Sequence, residues 1–438
     1  MERSLELLYQ RYTEALKEET ELFIGIELEF PIVNCKGQAT DIRVSQQLMG
    51  FLAETLNFVI EKRDRQGNPI QLSCPKTGDC LLFEVSYNIL EFAFGKAKVI
   101  QEVEERFEQY LKIIQSYLRS YEHELQGWGI HPQWQQNDNR PVSSPRYEML
   151  MHYLALSKSL DNPFLHPYPQ YGAFICGSQV QLDVTKTNYL RVINAFNQIE
   201  PAKAFLFANS TFEPSEWTTN VARDLFWEES MHGIFSENVG VFPYDFQTES
   251  EFFDYLNQSA IFTAHRDGES YYFYPIQVKD YLKQDKIEAF SLTGQKTLIK
   301  PSEKDFSTHR SYQYQDLTTR GTVEFRSVCT QNFELTFSSA AFHLGLLVEL
   351  EKLESLLRES FFFQRYGREY RQLRRKFAQP LDVEEQKAIV QFSKELLQLS
   401  RKGLEQRHQG EEMYLYPLFD QVGSKFEGVL YNIVAFRK

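Results

Sequence analysis

The sequence of 438 residues predicts an α+β fold built around one antiparallel sheet. Two features favour this fold. Several short segments alternate polar and apolar residues, which is typical of antiparallel strands that bury one face and leave the other polar. The last quarter of the chain is instead typical of helices. Apolar residues make up 42% of the chain and aromatic residues 15%, so that sheet and helices can share a sizeable core.

The predicted strands span residues 23–33, 81–94, 175–184 and 322–328, and the segment 67–79 is rich in turn-forming residues. A long amphipathic helix is predicted over 99–126, because apolar residues recur at intervals of three and four from Val103 to Leu125. Further helices are predicted over 188–205, 335–358, 363–377 and 383–408. No linker divides the chain, which predicts one domain over 1–438 with a helical C-terminal part from about 335 to 438.

Charge and cysteine content exclude several classes of function. The net charge of -13 disfavours binding to nucleic acid, since an acidic surface repels phosphate. The five cysteines form no C-x-x-C pair, which argues against a disulfide framework and a zinc ribbon. Residues 1–21 lack the apolar core of a signal peptide, and no stretch is apolar for the length of a bilayer span. We therefore expect a cytoplasmic protein that binds no membrane, as a monomer or a homodimer.

Acidic side chains fall together on one face of the first predicted strand. Side chains alternate across a strand, so the apolar residues of 24–30 point to one face, and Glu27 and Glu29 point together to the other. Two carboxylates side by side repel each other unless a positive charge lies between or above them. This pair is therefore a candidate binding site for a cation.

The same pattern recurs on the three later strands. Their polar residues are Glu84 and Glu91 on the second strand, Gln179, Gln181 and Asp183 on the third, and Glu324 and Arg326 on the fourth. Oxygen ligands of this kind suit Mg²⁺ or Mn²⁺ rather than zinc, and such ions keep positions open for phosphate oxygens. The alternative interpretation is a solvated sheet face, and the pattern alone leaves both open.

Eight short motifs occur in order along nearly the whole chain. They are Phe23-Ile-Gly-Ile-Glu-Leu-Glu-Phe30, Phe83-Glu-Val-Ser-Tyr-Asn-Ile-Leu-Glu91, Gly129-Ile-His-Pro-Gln-Trp134, Arg146-Tyr147, Ser178-Gln-Val-Gln-Leu-Asp183, Phe207-Ala-Asn-Ser-Thr-Phe212 followed by Arg223 and Trp227, Glu324-Phe-Arg326, and Lys402-Gly-Leu-Glu-Gln-Arg407. Together they resemble the glutamate–cysteine ligase superfamily, in particular its plant and proteobacterial branch. The resemblance implies a fold similar to the catalytic domain of glutamine synthetase.

The resemblance also implies a role for each matched residue. The metal ligands, for two or three Mg²⁺ (or Mn²⁺) ions, would be Glu27, Glu29, Glu84, Glu91 and Glu324. The residues beside the metals or the nucleotide would be Gln179 and Gln181. The residues that bind the amino-acid substrate would be Arg223, Trp227 and Arg146. Arg326 would neutralise the transferred phosphoryl group, so that Arg326 and Glu324 are the candidate catalytic residues.

The activity that the resemblance implies is an ATP-dependent ligation. ATP would convert the γ-carboxyl of L-glutamate into an acyl phosphate, and the amine of L-cysteine would attack it, a reaction of glutathione biosynthesis. Residues 327–331 and the loop 66–79 depart from the family pattern and leave the acceptor amine open. Two alternatives remain: a carboxylate–amine ligase with another amine or acid, and a relative that binds metabolites without turnover.

Overall fold

The computed structural model describes residues 2–213 and 217–424. The helices of these residues are, in chain order, α1 (Arg3–Thr13), α2 (Ile42–Leu56), α3 (Ile100–Arg119), α4 (Pro145–Ala155), α5 (Tyr189–Gln198), α6 (Glu200–Phe207), α7 (Ala222–Glu228), α8 (Glu249–Leu256), α9 (Val278–Tyr281), α10 (Ser338–Val348), α11 (Leu350–Glu359), α12 (Phe361–Tyr366), α13 (Tyr370–Phe377) and α14 (Val383–Arg407). The strands are β1 (Ile24–Asn34), β2 (Val59–Arg63), β3 (Pro69–Ser73), β4 (Cys80–Phe83), β5 (Ile89–Ala93), β6 (His123–Leu125), β7 (Ser178–Asp183), β8 (Val239–Gly240), β9 (Ala260–Arg266), β10 (Glu269–Gln277), β11 (Ile287–Ser291), β12 (Lys296–Ile299), β13 (Tyr312–Gln313), β14 (Gln315–Leu317) and β15 (Thr322–Phe325).

The main sheet has the strand order β14-β15-β7-β1-β5-β4-β3-β2, and β6 also pairs with β1. Its pairings are antiparallel. The alternation of β1 turns Ile24, Ile26 and Leu28 toward the core, where α5 and α10 pack on the sheet. The opposite face carries the polar residues. The predicted α+β fold, an antiparallel sheet with one polar face and one face backed by helices, is therefore confirmed.

A second sheet lies in a region where the sequence predicts no element. Strands β9 to β12 form a four-stranded antiparallel sheet within residues 260–299. Its strand β10 contacts α4, and residues from β9, α4 and α7 face the polar side of the main sheet. The main sheet and this second layer therefore enclose a space between them.

Several predicted elements are shorter or divided. The helix predicted over 99–126 is wrong beyond Arg119, because the chain reverses at Glu122 (φ 60°) and residues 123–125 form β6. The helix predicted over 188–205 is divided into α5 and α6, since Pro201 lacks an amide hydrogen and lies in the first turn of a new helix. Gly367 (φ 76°) separates α12 from α13. The strand predicted over 81–94 is a hairpin of β4 and β5.

The C-terminal helices pack onto the main sheet. Helix α10 contacts both β1 and β7, and α14 packs along α10. Residues 425–438 of the predicted helical part lie outside the described residues. In the described parts of the chain, no single helix is long and apolar enough to span a membrane. One pair of segments, Phe333–Val348 and Leu350–Tyr366, reaches that length and apolar composition only when taken together, across a bend of 89°.

Candidate active site

The register of the main sheet brings separate sequence motifs together. Strand β1 lies between β7 and β5, and β7 in turn pairs with β15. The residues that face each other across neighbouring strands are Glu27 and Gln179, Glu29 and Glu91, and Gln181 and Glu324. Because the side chains of opposed residues point to the same face, four motifs form one polar surface.

A cavity of about 250 Å³ lies over this polar surface. The sheet forms its floor, and α4, α7, β9 and the segment 308–312 form its walls. Nine of the residues predicted from the sequence line it: Glu27, Glu29, Glu84, Glu91, Arg146, Gln179, Arg223, Trp227 and Arg326. The other two, Gln181 and Glu324, lie beside it, where Gln181 donates to Glu27 (2.8 Å) and Glu324 accepts from Arg326 (2.6 Å).

The carboxylates of β1 are buried and their charge is incompletely neutralised. Glu29 is 7% exposed and accepts a hydrogen bond of 2.6 Å from the backbone N–H of Gly177. Burial raises the pKa of Glu29 to about 7, although the charge of Arg223 acts to lower it. Burial and the charge of Glu324 raise the pKa of Glu27 to about 7 as well. The floor of the cavity is therefore short of positive charge.

Strand β5 and the turn before it add two more acids. Burial and repulsion from Glu84 raise the pKa of Glu91 well above its usual range. Glu84 accepts a hydrogen bond of 3.0 Å from the hydroxyl of Tyr147. The next residue, Val85, has a φ of 57°, which is rare for a β-branched residue, and its carbonyl accepts from the N–H of Val142 (2.7 Å). Such strain persists where the surroundings impose it, and it clusters at functional sites.

Two arginines of the cavity have orientations fixed by the protein. The guanidinium of Arg326 donates to Glu324 (2.6 Å), and Arg223 donates to the carbonyl of Arg326 (2.8 Å). Gly177 makes room for Arg223, because a Cβ at this position would overlap its guanidinium group. The Nε of Arg223 has no hydrogen-bond partner among the described residues. Both arginines are therefore held in place beside the acids of the floor.

A buried network of ion pairs contacts the backbone and side chains next to these two arginines in the sequence. Arg374 of α13 donates to Asp224 (2.6 and 3.0 Å), to Glu200 (2.6 Å) and to the carbonyl of Ser327 (3.1 Å). Lys203 also pairs with Glu200 at 2.6 Å. Since Asp224 and Ser327 each adjoin one of the two cavity arginines in the chain, the network ties the C-terminal helices to the site.

Aromatic rings form one part of the cavity wall. Trp227 stacks on Tyr312, with ring centroids 5.2 Å apart and an interplanar angle of 26°. Tyr171 meets Trp227 edge-on at 5.6 Å, and the ring of His232 lies 4.3 Å from that of Tyr312. Burial lowers the pKa of His232 to about 3, so this ring is neutral at physiological pH. The wall therefore carries no charge of its own.

The sequence analysis did not identify several residues of the cavity. They are Tyr147, Tyr171, His232, Arg310 and Tyr312. Most come from loops and short turns, where no periodicity marks the direction of a side chain. The Arg146-Tyr147 motif was a signal that pointed to Tyr147, whereas nothing in the sequence pointed to the others.

The fit of the cavity to metal ions depends on the chemistry of its donors. Within residues 2–213 and 217–424, no three Asp, Glu, His or Cys side chains are grouped so as to hold a metal ion as they stand. Protein donors contact Glu29 and Glu27 instead. The donors nevertheless fit Mg²⁺, because they are oxygens with excess negative charge and include the buried Oε1 of Gln179, which has no hydrogen-bond partner. The metal ligands stay a prediction.

Several solved structures are similar to this chain, among them the following three. One is a bifunctional glutathione synthetase from Pasteurella multocida (12% identity, TM-score 0.39, 97% of this chain and 50% of that chain). The second is the ligase PafA in complex with the prokaryotic ubiquitin-like protein Pup (9%, 0.38, 97% and 69%). The third is a glutamate–cysteine ligase from Francisella tularensis in complex with AMP (10%, 0.37, 95% and 83%). This chain spans about half the length of the first of them.

Comparisons by sequence give one negative result and one match. No curated protein sequence matches the chain. The family model described as Glutamate-cysteine ligase family 2 (GCS2) matches residues 23–431, which is nearly the entire sequence. This match confirms the predicted family resemblance. The chain belongs to glutamate-cysteine ligase family 2.

Proposed function

We propose that the chain is an ATP- and Mg²⁺-dependent ligase that joins the γ-carboxyl of L-glutamate to the amine of L-cysteine through an acyl phosphate. The observation that carries this proposal is a single cavity in which acids of β1 and β5 lie beside arginines of α7 and of the end of β15. Acids and arginines side by side suit the simultaneous binding of a metal-bound polyphosphate and a carboxylate substrate.

The proposed reaction has two steps. An oxygen of the γ-carboxylate attacks the γ-phosphorus of ATP, a P–O bond forms, and ADP leaves with the electron pair of the bond that breaks. The amine then attacks the acyl carbon, an amide bond forms, the amine loses a proton, and phosphate leaves. Because water can also attack an acyl phosphate, the aromatic wall favours the amine by excluding water from that side of the cavity.

Arginines supply the positive charge that the first step needs. Arg326 would neutralise charge on the transferred phosphoryl group, and its ion pair with Glu324 fixes the direction of the guanidinium. Arg223 and Trp227 lie together on α7 and would hold the glutamate substrate, to which Arg146 of α4 would contribute. The hydrogen bonds of Arg223 to its surroundings would keep that substrate in one orientation.

The acids of the floor would hold the metal ions. The proposed ligands of two to three Mg²⁺ (or Mn²⁺) ions are Glu27, Glu29, Glu84, Glu91 and Glu324, with Gln179 and Gln181 beside them. When bound, the ions would supply charge neutralisation for the phosphate oxygens of ATP. The high pKa values of Glu27 and Glu29 support this role, since these carboxyls stay partly protonated near neutral pH until a cation compensates them.

The test is phosphate release from ATP in the presence of Mg²⁺ and L-glutamate, with a panel of amines that includes L-cysteine and with product mass recorded alongside. Release that requires L-cysteine, with the mass of γ-glutamylcysteine, is the expected result. Glu29→Gln is the inactive comparison, because it removes a proposed ligand from the floor.

The other outcomes separate the alternatives. Release that requires a different amine would replace L-cysteine and keep the mechanism. Nucleotide binding without release, for every amine tested, would indicate another acid substrate or a relative without turnover. The absence of Mg²⁺-dependent nucleotide binding would contradict the proposed function altogether.

A further inference from the structure

Two arginines flank one tyrosine ring inside the cavity. The guanidinium carbon of Arg310 lies 5.6 Å from the ring centroid of Tyr312, and that of Arg326 lies 6.0 Å from the same centroid. Arg146, from α4, lines the cavity as well. Arg310 belongs to the segment between residues 308 and 312, which the sequence analysis did not connect with function. Three guanidinium groups and one phenol thus share one end of the cavity.

These arginines differ in how far the protein neutralises them. Arg326 is paired with Glu324 at 2.6 Å. Among the described residues, no carboxylate forms an ion pair with Arg146 or Arg310, and the contacts of each are with a neighbouring tyrosine ring. Acids of the cavity act on both guanidinium groups from a distance, but no carboxylate of the described residues is in direct contact with either. Two guanidinium groups that face the cavity without a direct ion pair are suited to bind an anionic ligand with about two negative charges.

The number of positive charges at this end of the cavity favours a phosphoryl group over a carboxylate. Arg310 lines the same cavity as Arg146 and Arg326. A carboxylate carries one negative charge, which one guanidinium neutralises. A phosphoryl group carries two or more, and its several oxygens can each accept from an arginine or a hydroxyl donor.

We propose that Arg310 is a further catalytic residue, which binds the transferred phosphoryl group together with Arg146 and Arg326, and that the hydroxyl of Tyr312 donates a hydrogen bond to the same group. This inference rests on the proposed ATP-dependent reaction. During transfer, charge spreads over the three equatorial oxygens of the phosphoryl group, and donors already in place stabilise it without reorganisation. Arg310 thus adds a positive charge that forms no direct ion pair within residues 2–213 and 217–424.

The test compares the binding of two nucleotides that differ in the γ-phosphoryl group. Isothermal titration calorimetry would measure the dissociation constants of ADP and of β,γ-imido-ATP, each with Mg²⁺, and separately that of L-glutamate. Arg310→Gln should weaken β,γ-imido-ATP by about 10- to 100-fold, as expected for a lost charge-assisted hydrogen bond, and ADP by much less. Arg310→Lys should fall between the wild type and Arg310→Gln.

A control removes an exposed arginine that also contacts a neighbouring tyrosine ring but lies outside the cavity. Arg365 lies 5.2 Å from the ring of Tyr366 on α12, outside the cavity, and Arg365→Gln should leave both nucleotide dissociation constants unchanged. Tyr312→Phe should weaken β,γ-imido-ATP while keeping the ring contacts of the wall. Thermal unfolding of each variant would show that it folds.

Three results would overturn the inference. Equal weakening of ADP and β,γ-imido-ATP by Arg310→Gln would place Arg310 away from the γ-phosphoryl group. Weaker binding of L-glutamate with unchanged nucleotide binding would mean that Arg310 holds a carboxylate. Failure of the folded wild type to bind β,γ-imido-ATP would refute the proposed function itself, and this result is distinct because it does not depend on any variant.

Discussion

Glu29→Gln is expected to make the metal-free protein more stable while removing its activity. The carboxyl of Glu29 is 7% exposed, and burial raises its pKa from 4.5 to about 7. Glutamine keeps the shape of the side chain and an oxygen that can accept the hydrogen bond from Gly177. The variant therefore removes a buried negative charge and a proposed metal ligand, with little change in packing.

The size of the effect follows from the pKa. A tenfold change in an acid dissociation constant corresponds to about 1.4 kcal/mol. The rise in the pKa of Glu29 from 4.5 to about 7 therefore means that ionised Glu29 lowers the free energy of unfolding by about 3 kcal/mol. Because the folded pKa is raised, the native state keeps its proton longer than the unfolded state. The wild type consequently loses this stability as the pH rises from the unfolded to the folded pKa. Near pH 8 Glu29→Gln should be about 3 kcal/mol more stable than the wild type, and near pH 5 less than about 1 kcal/mol more stable.

Urea unfolding with a chelator present, followed by tryptophan fluorescence at both pH values, would measure this difference. Glu54→Gln is the control, since Glu54 is exposed on α2 and its replacement should show no such pH dependence. The reasoning would be refuted if Glu29→Gln were no more stable than the wild type near pH 8. Full activity of the variant would separately contradict the proposed role of Glu29 as a metal ligand.

Three further predictions concern the support of the site. Arg374→Met should lower the unfolding free energy by about 3–5 kcal/mol, because it leaves the buried carboxylate of Asp224 without its partner; a loss below about 1 kcal/mol in urea unfolding would contradict this role. Gly177→Ala should displace the guanidinium of Arg223 and raise the KM for L-glutamate at least about tenfold, which is the scale of one charged hydrogen bond. The control is Gly50→Ala, where a Cβ meets no atom within 4 Å and the KM should not change. Equal KM values for the two variants would show that Arg223 does not hold that substrate. Added Mg²⁺ should raise the Tm more near pH 8 than near pH 5, because protonated carboxyls bind cations poorly; an equal rise at both pH values would place Mg²⁺ elsewhere.

The strands could be predicted where polar and apolar residues alternate along the chain. The ends of the helices were predicted wrongly where a turn, a proline or a glycine interrupts a long apolar repeat. Alternation in residues 24–30 predicted β1 and the direction of its acids, because a half-buried strand leaves that pattern directly in the sequence. The apolar repeat beyond Arg119 also fits the short strand β6, whose partner β1 is distant in the sequence. Pro201 and Gly367 interrupt helices whose apolar spacing continues on both sides.

The acids of the site could be predicted, whereas the residues that oppose them could not. Glu27 and Glu29 lie on a strand, so their common face follows from the period of two. Arg310 comes from an irregular segment and Tyr312 from the two-residue strand β13, and both line the cavity beside residues that are distant in the sequence. That arrangement depends on contacts between distant parts of the chain, and no local pattern encodes it.

The central claim, activation of a carboxylate as an acyl phosphate in this cavity, is tested most directly with L-glutamate labelled with ¹⁸O in its γ-carboxyl group. In turnover with ATP, Mg²⁺ and the accepted amine, the account predicts that one ¹⁸O atom appears in each phosphate released, since the leaving phosphate carries away a carboxyl oxygen. Release of unlabelled phosphate during amide formation would contradict the account.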